Sequence, residues 1–296
     1  AMEEYSNSGV GSKKGSEWTG EIEARVEREL KERLRVKEVE EAGVFLDLDL
    51  VREGTQGEKM DFDGERVVVM DIQDEVVVTF KVVDKKAGVV GGGELLDGSK
   101  AVAVYGERGF VLGSRGIIEL DVIRKTSAIA VENDESWGEV GEMDVFGGNL
   151  YLLDKSRGQI YRYRGVSGEK QNWLGAGVEP DFNRVAGMAI DGKIWILTES
   201  GKVEVYAQGT GKAVDLVGLD MPLSGPRGIY TDDESERVYI LDSGNQRVVV
   251  INKQGEYEAQ YRWEGIGEAS DMIVAEAENK ILLLLGSKVY EIELWN

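Results

Sequence analysis

Cysteine and histidine are both absent from the 296 residues. Without cysteine there are no disulfides, no thiolate metal sites and no cysteine nucleophile. Without histidine the commonest zinc ligand and the commonest general base near neutral pH are gone, so hydrolases and lyases built on those parts are excluded. Positive charge is also scarce. Lys and Arg number 35 against 56 Asp and Glu, a formal net charge of −21 at pH 7. Phosphate-binding surfaces depend on Lys and Arg to release counterions, so no nucleic-acid partner is expected unless a local basic face exists. No run of eighteen apolar residues and no signal peptide is read, so no membrane contact by this chain itself is expected. No cofactor is implied.

What the chain does contain is a repeat. An apolar residue opens a short strand just before a turn at Met60, Val102, Met143, Met188, Ile229 and Met272, at intervals of 42, 41, 45, 41 and 43 residues. A period near forty with several short strands per repeat predicts an all-β, six-bladed β-propeller of four-stranded antiparallel blades. The copy from Gly228 shows the anatomy best: GIYTDDESERVYILDSGNQRVVVINKQGEYEAQYRW gives four Val-, Ile- and Tyr-rich segments separated by Gly, Asp, Asn and Ser turns. The second strands (ERVVVM, RGFVLG, NLYLLD, KIWILT, RVYILD, KILLLL) are the most apolar, as expected of strands covered on both faces by neighbouring blades.

The sixth repeat has only three strands before the chain stops at Asn296. Residues 44–50, VFLDLDL, alternate as a strand and precede Met60 at the spacing of a fourth strand, so the sixth blade is expected to be built from both ends of the chain, leaving no open edge. The propeller is thus placed at 43–296. Residues 1–17, opening on a cloning remnant and rich in Gly, Ser, Lys and Glu, read as a disordered tag and linker. Residues 18–41 read as a linker helix. Thr19 is its N-cap, and Trp18, Ile22, Val26, Leu30 and Leu34 form a narrow apolar stripe suited to leaning on the propeller or on a partner.

Residues 226–261, PRGIYTDDESERVYILDSGNQRVVVINKQGEYEAQY, resemble the NHL repeat, with LLDKSRGQIYRY in the third copy as a weaker match. The resemblance implies the propeller fold rather than an activity. KQNWLGAGVEPD, GGNLYLLDK and KILLLLGSKVYEIEL make the chain similar to C-terminal propeller regions that follow PP2C-type phosphatase domains in uncultivated bacteria. No phosphatase motif is present here. A signalling context is what this similarity implies. Its location follows only if a membrane span lies upstream, which would make the propeller extracytoplasmic.

Asp71, Asp154 and Asp242 end the second strands of blades one, three and five, where the other blades carry Gly113, Thr198 and Gly286. Such an Asp can accept hydrogen bonds from loop N–H groups, a structural role that the NHL resemblance supports. The functional alternative is a set of three carboxylates at the channel mouth. Some six-bladed relatives of the lactonase and gluconolactonase class hold a divalent cation there. The positions before the signposts (Lys59, Ala101, Glu142, Gly187, Gly228, Asp271) supply only Glu142 and Asp271 as carboxylates, with one ammonium opposite, too sparse for a cation that wants several oxygens. Asp61 and Asp144, just after the signposts, should point away from them. The four Met signposts read as adaptable packing where blades converge.

The connections from each fourth strand to the next first strand are the longest and most varied, and they share a face with the Asp-bearing turns. Trp137, Phe182, Arg184, Arg227, Trp263, Arg157 and Arg247 are the residues there best able to anchor a ligand. The expected function is a noncatalytic binding or sensor module for a protein, peptide or glycan. The alternative is a metal-dependent, lactonase-like hydrolase.

Overall fold

The computed structural model describes Arg25, Glu29 and residues 31–295. The sheets form the six blades the period predicts. Two strands come first, β1 (Val36–Glu38) and β2 (Gly43–Asp47). Blade one is β3 (Lys59–Phe62), β4 (Arg66–Asp71), β5 (Val76–Lys81) and β6 (Ala87–Gly92). Blade two is β7 (Ala101–Tyr105), β8 (Arg108–Gly113), β9 (Gly116–Asp121) and β10 (Thr126–Glu132). Blade three is β11 (Val140–Phe146), β12 (Asn149–Asp154), β13 (Gln159–Tyr163) and β14 (Lys170–Asn172). Blade four is β15 (Val185–Ile190), β16 (Ile194–Thr198), β17 (Val203–Ala207) and β18 (Thr210–Val214). Blade five is β19 (Gly228–Tyr230), β20 (Arg237–Asp242), β21 (Arg247–Asn252) and β22 (Tyr257–Arg262). Blade six is β23 (Asp271–Ala275), β24 (Lys280–Leu285) and β25 (Lys288–Glu293), completed by β2.

Closure by the N-terminal strand is as expected: β2 pairs antiparallel with β25, placing Val44 opposite Tyr290 and Leu46 opposite Val289. The strand is shorter than its sequence suggests. After Asp47 the chain turns through a 3-10 segment, Leu48–Leu50, begun by the Asp47 carboxylate accepting the N–H of Asp49. Alternation continues there because Leu48 is buried and Leu50 points out, which a turn satisfies as well as a strand does.

The linker helix proposed for 18–41 needs a larger correction. Its first residues lie outside those described, as does the tag and linker at 1–17. Residues 31–33 are helical, but Arg35 adopts φ of +45° and the chain then forms β1, which lies parallel to β22 as a fifth strand of blade five. Lys37 donates to the carbonyl of Glu293 (2.7 Å), Tyr257 donates to the carbonyl of Leu34 (2.5 Å), and Arg35 sits 5.5 Å from the Trp295 ring. The outer edge of blade five offers unpaired backbone groups, and satisfying them outweighs continuing a charged helix.

Apolar side chains fill the spaces between blades. Val68 and Met70 of β4 meet Val102, Val104 and Val111 of blade two, and the same arrangement recurs around the ring. The most extensive cluster joins blades five, six and one across the closure and includes Phe45 and Leu48. Second strands are the most deeply packed, with β4 buried at all six positions. Of the signposts, Met60, Val102, Met143, Ile229 and Met272 are buried and Met188 partly so, which fits packing where blades meet.

Candidate functional site

The first strands β3, β7, β11, β15, β19 and β23 stand around a central cavity of about 560 Å³. Because strand side chains alternate, every second residue of a first strand turns to the same side, and two such positions form two tiers along the cavity.

The tier nearer the long loops holds Lys59, Glu142 and Asp271. A register shift between Val140 and Glu142 bulges β11 and re-aims Glu142, whose carboxylate lies 3.9 Å from the Lys59 ammonium and 3.7 Å from that of Lys155. Glu142 is the main reason the Lys59 ammonium is held above its usual range; burial opposes this and Asp271 assists. Asp271 accepts the N–H of Met60 (3.0 Å) from the next blade and that of Met272 (2.8 Å). Burial pushes its carboxyl up, against the pull of Lys59.

The second tier alternates around the ring. Blades one, three and five supply Asp61, Asp144 and Tyr230, blades four and six supply Ala189 and Ile273, and the equivalent residue of blade two, Ala103, is fully buried in the packing between blades. Asp61 accepts the N–H of Val104 from blade two (2.7 Å), and Asp144 accepts that of Ile190 from blade four. These amides lie on the channel-facing edge of an innermost strand, so each carboxylate ties one blade to the next. Burial raises the carboxyl of Asp144 to about 6. It raises that of Asp61 well above the usual range, and the charge of Asp144 adds to the effect. Tyr230 faces both and donates its hydroxyl to Asp232 (3.0 Å).

Asp71, Asp154 and Asp242 are at most 1% exposed and are not channel-mouth groups. Each closes its own hairpin and reaches the preceding long loop. Asp71 accepts the N–H groups of Asp74 and Gln56 (both 2.8 Å). Asp154 accepts those of Arg157 (3.1 Å) and Gly138 (2.6 Å). Asp242 accepts the N–H of Ser224 (2.7 Å) and the side chain of Asn245 (2.8 Å). These bonds also place the long loops and the Asp-bearing turns on one face of the ring.

The proposed anchors divide into two groups. Phe182 and Arg247 are fully buried, Trp137 is buried, and Trp263 is half-buried against Tyr290. These four are packing groups: large amphipathic side chains fill the gaps between blades better than they serve a solvated loop. Trp137 donates to the Tyr163 hydroxyl (2.9 Å) and meets that ring edge-on. Its replacement by Phe is expected to lower stability by about 1 kcal/mol through the lost hydrogen bond, seen as a melting temperature lower by about 2–4 °C. Arg184, Arg157 and Arg227 do reach the surface. Arg184 pairs with Glu199 (2.8 Å), Arg157 lies 3.9 Å from Asp154, and Arg227 donates to the carbonyl of Ala269 (3.1 Å). Arg227 also lines the cavity.

Among the described residues no group of three or more carboxylates is arranged to hold a metal ion. Glu142 and Asp271 share the upper tier with the Lys59 ammonium, which stands where a cation would have to approach. The second tier was missed as a unit, although its signal was present: the residue after each signpost reads Asp, Ala, Asp, Ala, Tyr, Ile.

No protein-family model matches the chain, and no curated protein matches it significantly. Solved structures do. Regucalcin, a calcium-binding protein from Agrobacterium tumefaciens, superposes with a TM-score of 0.60 at 11% identity, covering 88% of this chain and 95% of its own. Virginiamycin B lyase from Staphylococcus aureus gives 0.59 at 10% identity, covering 84% and 98%. A chain of the nidogen/laminin complex gives 0.56 at 13% identity, covering 72% and 82%. At such identities the likeness is one of fold, a six-bladed propeller shared by enzymes and binding modules alike.

Proposed function

We propose that this chain is a noncatalytic binding or sensor module that presents its loop-rich face to a protein, peptide or glycan within a larger signalling protein. One observation carries the reading: the channel carboxylates are already engaged. Glu142 serves two lysines, and Asp61, Asp144 and Asp271 accept backbone N–H groups of neighbouring blades. Commitments of this kind favour a structural role for these carboxylates over a cation socket or a general base. The loop face keeps three solvent-facing guanidiniums on a rigid scaffold, the arrangement that suits recognition. The similarity to propellers following PP2C-type phosphatase domains supports the signalling setting.

Peptide and glycan arrays probed with the protein and with an Arg157→Ala, Arg184→Ala, Arg227→Ala triple variant test this. The expected result is a ligand whose binding falls at least roughly tenfold in the variant, while stability moves by only about 0.5 kcal/mol per site. Calcium-dependent thermal stabilisation together with lactone turnover would overturn the reading in favour of a hydrolase.

A further inference from the structure

We propose that the central channel binds a linear aliphatic diamine or polyamine, which enters at the mouth opposite the loop-rich face and sets its ammonium groups against Asp61, Asp144, Tyr230 and the acidic turns beyond them. This site lies apart from the loop face and stands or falls independently of the function proposed there.

The cavity supplies the room. At about 560 Å³ it falls within the range of small-molecule sites. Its charge is lopsided: eight carboxylates line it against two cations, Lys59 and Arg227. Both cations are engaged at the loop-side end, Lys59 by Glu142 and Arg227 by the Ala269 carbonyl. Towards the other end, the tier of Asp61, Asp144 and Tyr230 is followed, two residues further along the first strands, by Asp63, Tyr105, Phe146 and Asp232 at the mouth. Among the described residues no ion pair joins Asp61, Asp63, Asp144 or Asp232 to a cation. A channel of one sign with low-dielectric walls concentrates ions of the other.

The walls select the kind of cation. A metal ion needs several oxygens converging on one point, and among the described residues no group of three or more carboxylates is placed to hold one. The N–H bonds from Val104 to Asp61 and from Ile190 to Asp144 disfavour metal coordination, but they neutralise nothing: they fix each carboxylate in place and favour its ionised form. An alkylammonium needs only such fixed acceptors, to which it donates charge-assisted hydrogen bonds. Tyr230 spends its proton on Asp232 (3.0 Å) and so meets a ligand as an acceptor. Aromatic side chains at the same end add an independent reason. Phe62, Tyr105, Phe146 and Tyr230 all line the cavity there, with Tyr105 leaning over Gly148 and Phe146 over Gly192 of the next blade, and aromatic faces attract organic cations. Length follows from strand geometry. Tiers two residues apart are separated by about 6–7 Å, a distance that a short methylene chain covers, so a diamine reaches both tiers and a monoamine only one.

Titration calorimetry on the whole chain with putrescine, spermidine, n-butylamine and magnesium chloride, at fixed ionic strength, tests the proposal. One saturable site is expected, at least roughly tenfold tighter for putrescine and spermidine than for butylamine, because the second ammonium binds within the same molecule. Asp144→Asn keeps an acceptor for the Ile190 N–H and should weaken putrescine binding by at least roughly tenfold. Asp233→Asn combined with Glu234→Gln, in the exposed turn at the mouth, should weaken spermidine binding and gives a second reading should Asp144→Asn fail to fold. Glu94→Gln, which removes one charge from an exposed position between β6 and β7 outside the channel, should leave the affinities unchanged. Absence of saturable binding would overturn the proposal. So would equal affinity for butylamine and putrescine, competition by magnesium charge for charge, or an effect of Glu94→Gln as large as that of Asp144→Asn, each of which marks a diffuse counterion cloud in place of a channel site.

Discussion

Replacing Arg247 with methionine is expected to destabilise the protein by about 3–5 kcal/mol, the usual cost of stripping one partner from a buried ion pair. Arg247 is 0% exposed, as is Asp242, to which its Nε donates at 2.6 Å. The same guanidinium donates to Gln260 Oε1 (2.8 Å) and to the carbonyl of Met221 (2.9 Å), and it pairs with Asp220. Burial pushes the Asp220 carboxyl up, but hydrogen bonds from Gln260 and Arg247, with the charges of Arg247 and Arg262, hold it below its usual range. Methionine fills much of the volume and satisfies none of these acceptors. Asp242 would be left without its guanidinium partner in the core, and the loop around Asp220 and Met221 would be held to blade five only by the contacts of Asp220 with Gln260 (3.1 Å) and Arg262 (2.9 Å). A fall in melting temperature on the order of 10 °C is expected for a chain of this size. Adding Asp242→Asn should restore part of it, because the stranded charge is then gone. A single variant that melts within about 2 °C of wild type would refute the account.

Deleting residues 1–47 is expected to abolish the cooperative fold. This removes β2, the strand that closes blade six, and with it Phe45, whose ring lies 5.7 Å from Phe80 of blade one beneath the Lys85 ammonium. Lys85 also donates to the Phe45 carbonyl (3.1 Å), so the strand fastens blade one as well as blade six. Without it β25 becomes an open edge beside the Leu282–Leu284 core, a template for aggregation. Size-exclusion chromatography and circular dichroism should show aggregate without a sharp melting transition. Deletion of residues 1–41 removes β1 and the helical residues 31–33 but keeps β2, and it should leave the ring closed. If the longer deletion elutes as a monomer and melts like wild type, ring closure by β2 is not what holds the fold.

The two predictions draw on what was least and most legible in the sequence. The spacing of Met60, Val102, Met143, Met188, Ile229 and Met272 specified six blades, because each blade must bury both faces against neighbours and so repeats one pattern. The closing strand was legible for the same reason: a three-stranded last blade needs a partner. The buried role of Arg247 was not. An arginine at a turn reads as exposed until its partners are known, and Asp220 lies 27 residues away in sequence. Trp137 and Phe182 misled in the same way, since loop position carries no information about the depth of the space between blades. The strand β1 was hidden by a charged segment rich in helix formers, where docking on blade five overrides local propensity. Asp61 and Asp144 were visible as residues facing away from the packing register. Their convergence across the channel requires the ring to be closed, which no local pattern encodes.

The closure also has a mechanical side. In β2 and β25, Gly43 lies opposite Glu291 and Asp47 opposite Lys288, so the upstream end of one strand and the downstream end of the other sit together. Tension applied between the two chain ends would therefore peel the hydrogen bonds apart one pair after another instead of shearing them all at once. The parallel strand β1 lies ahead of β2 in the chain and would detach first. A ring whose closure is packed by an extensive apolar cluster should thus still yield to a directed pull, opening at blade six while the other blades stay stacked.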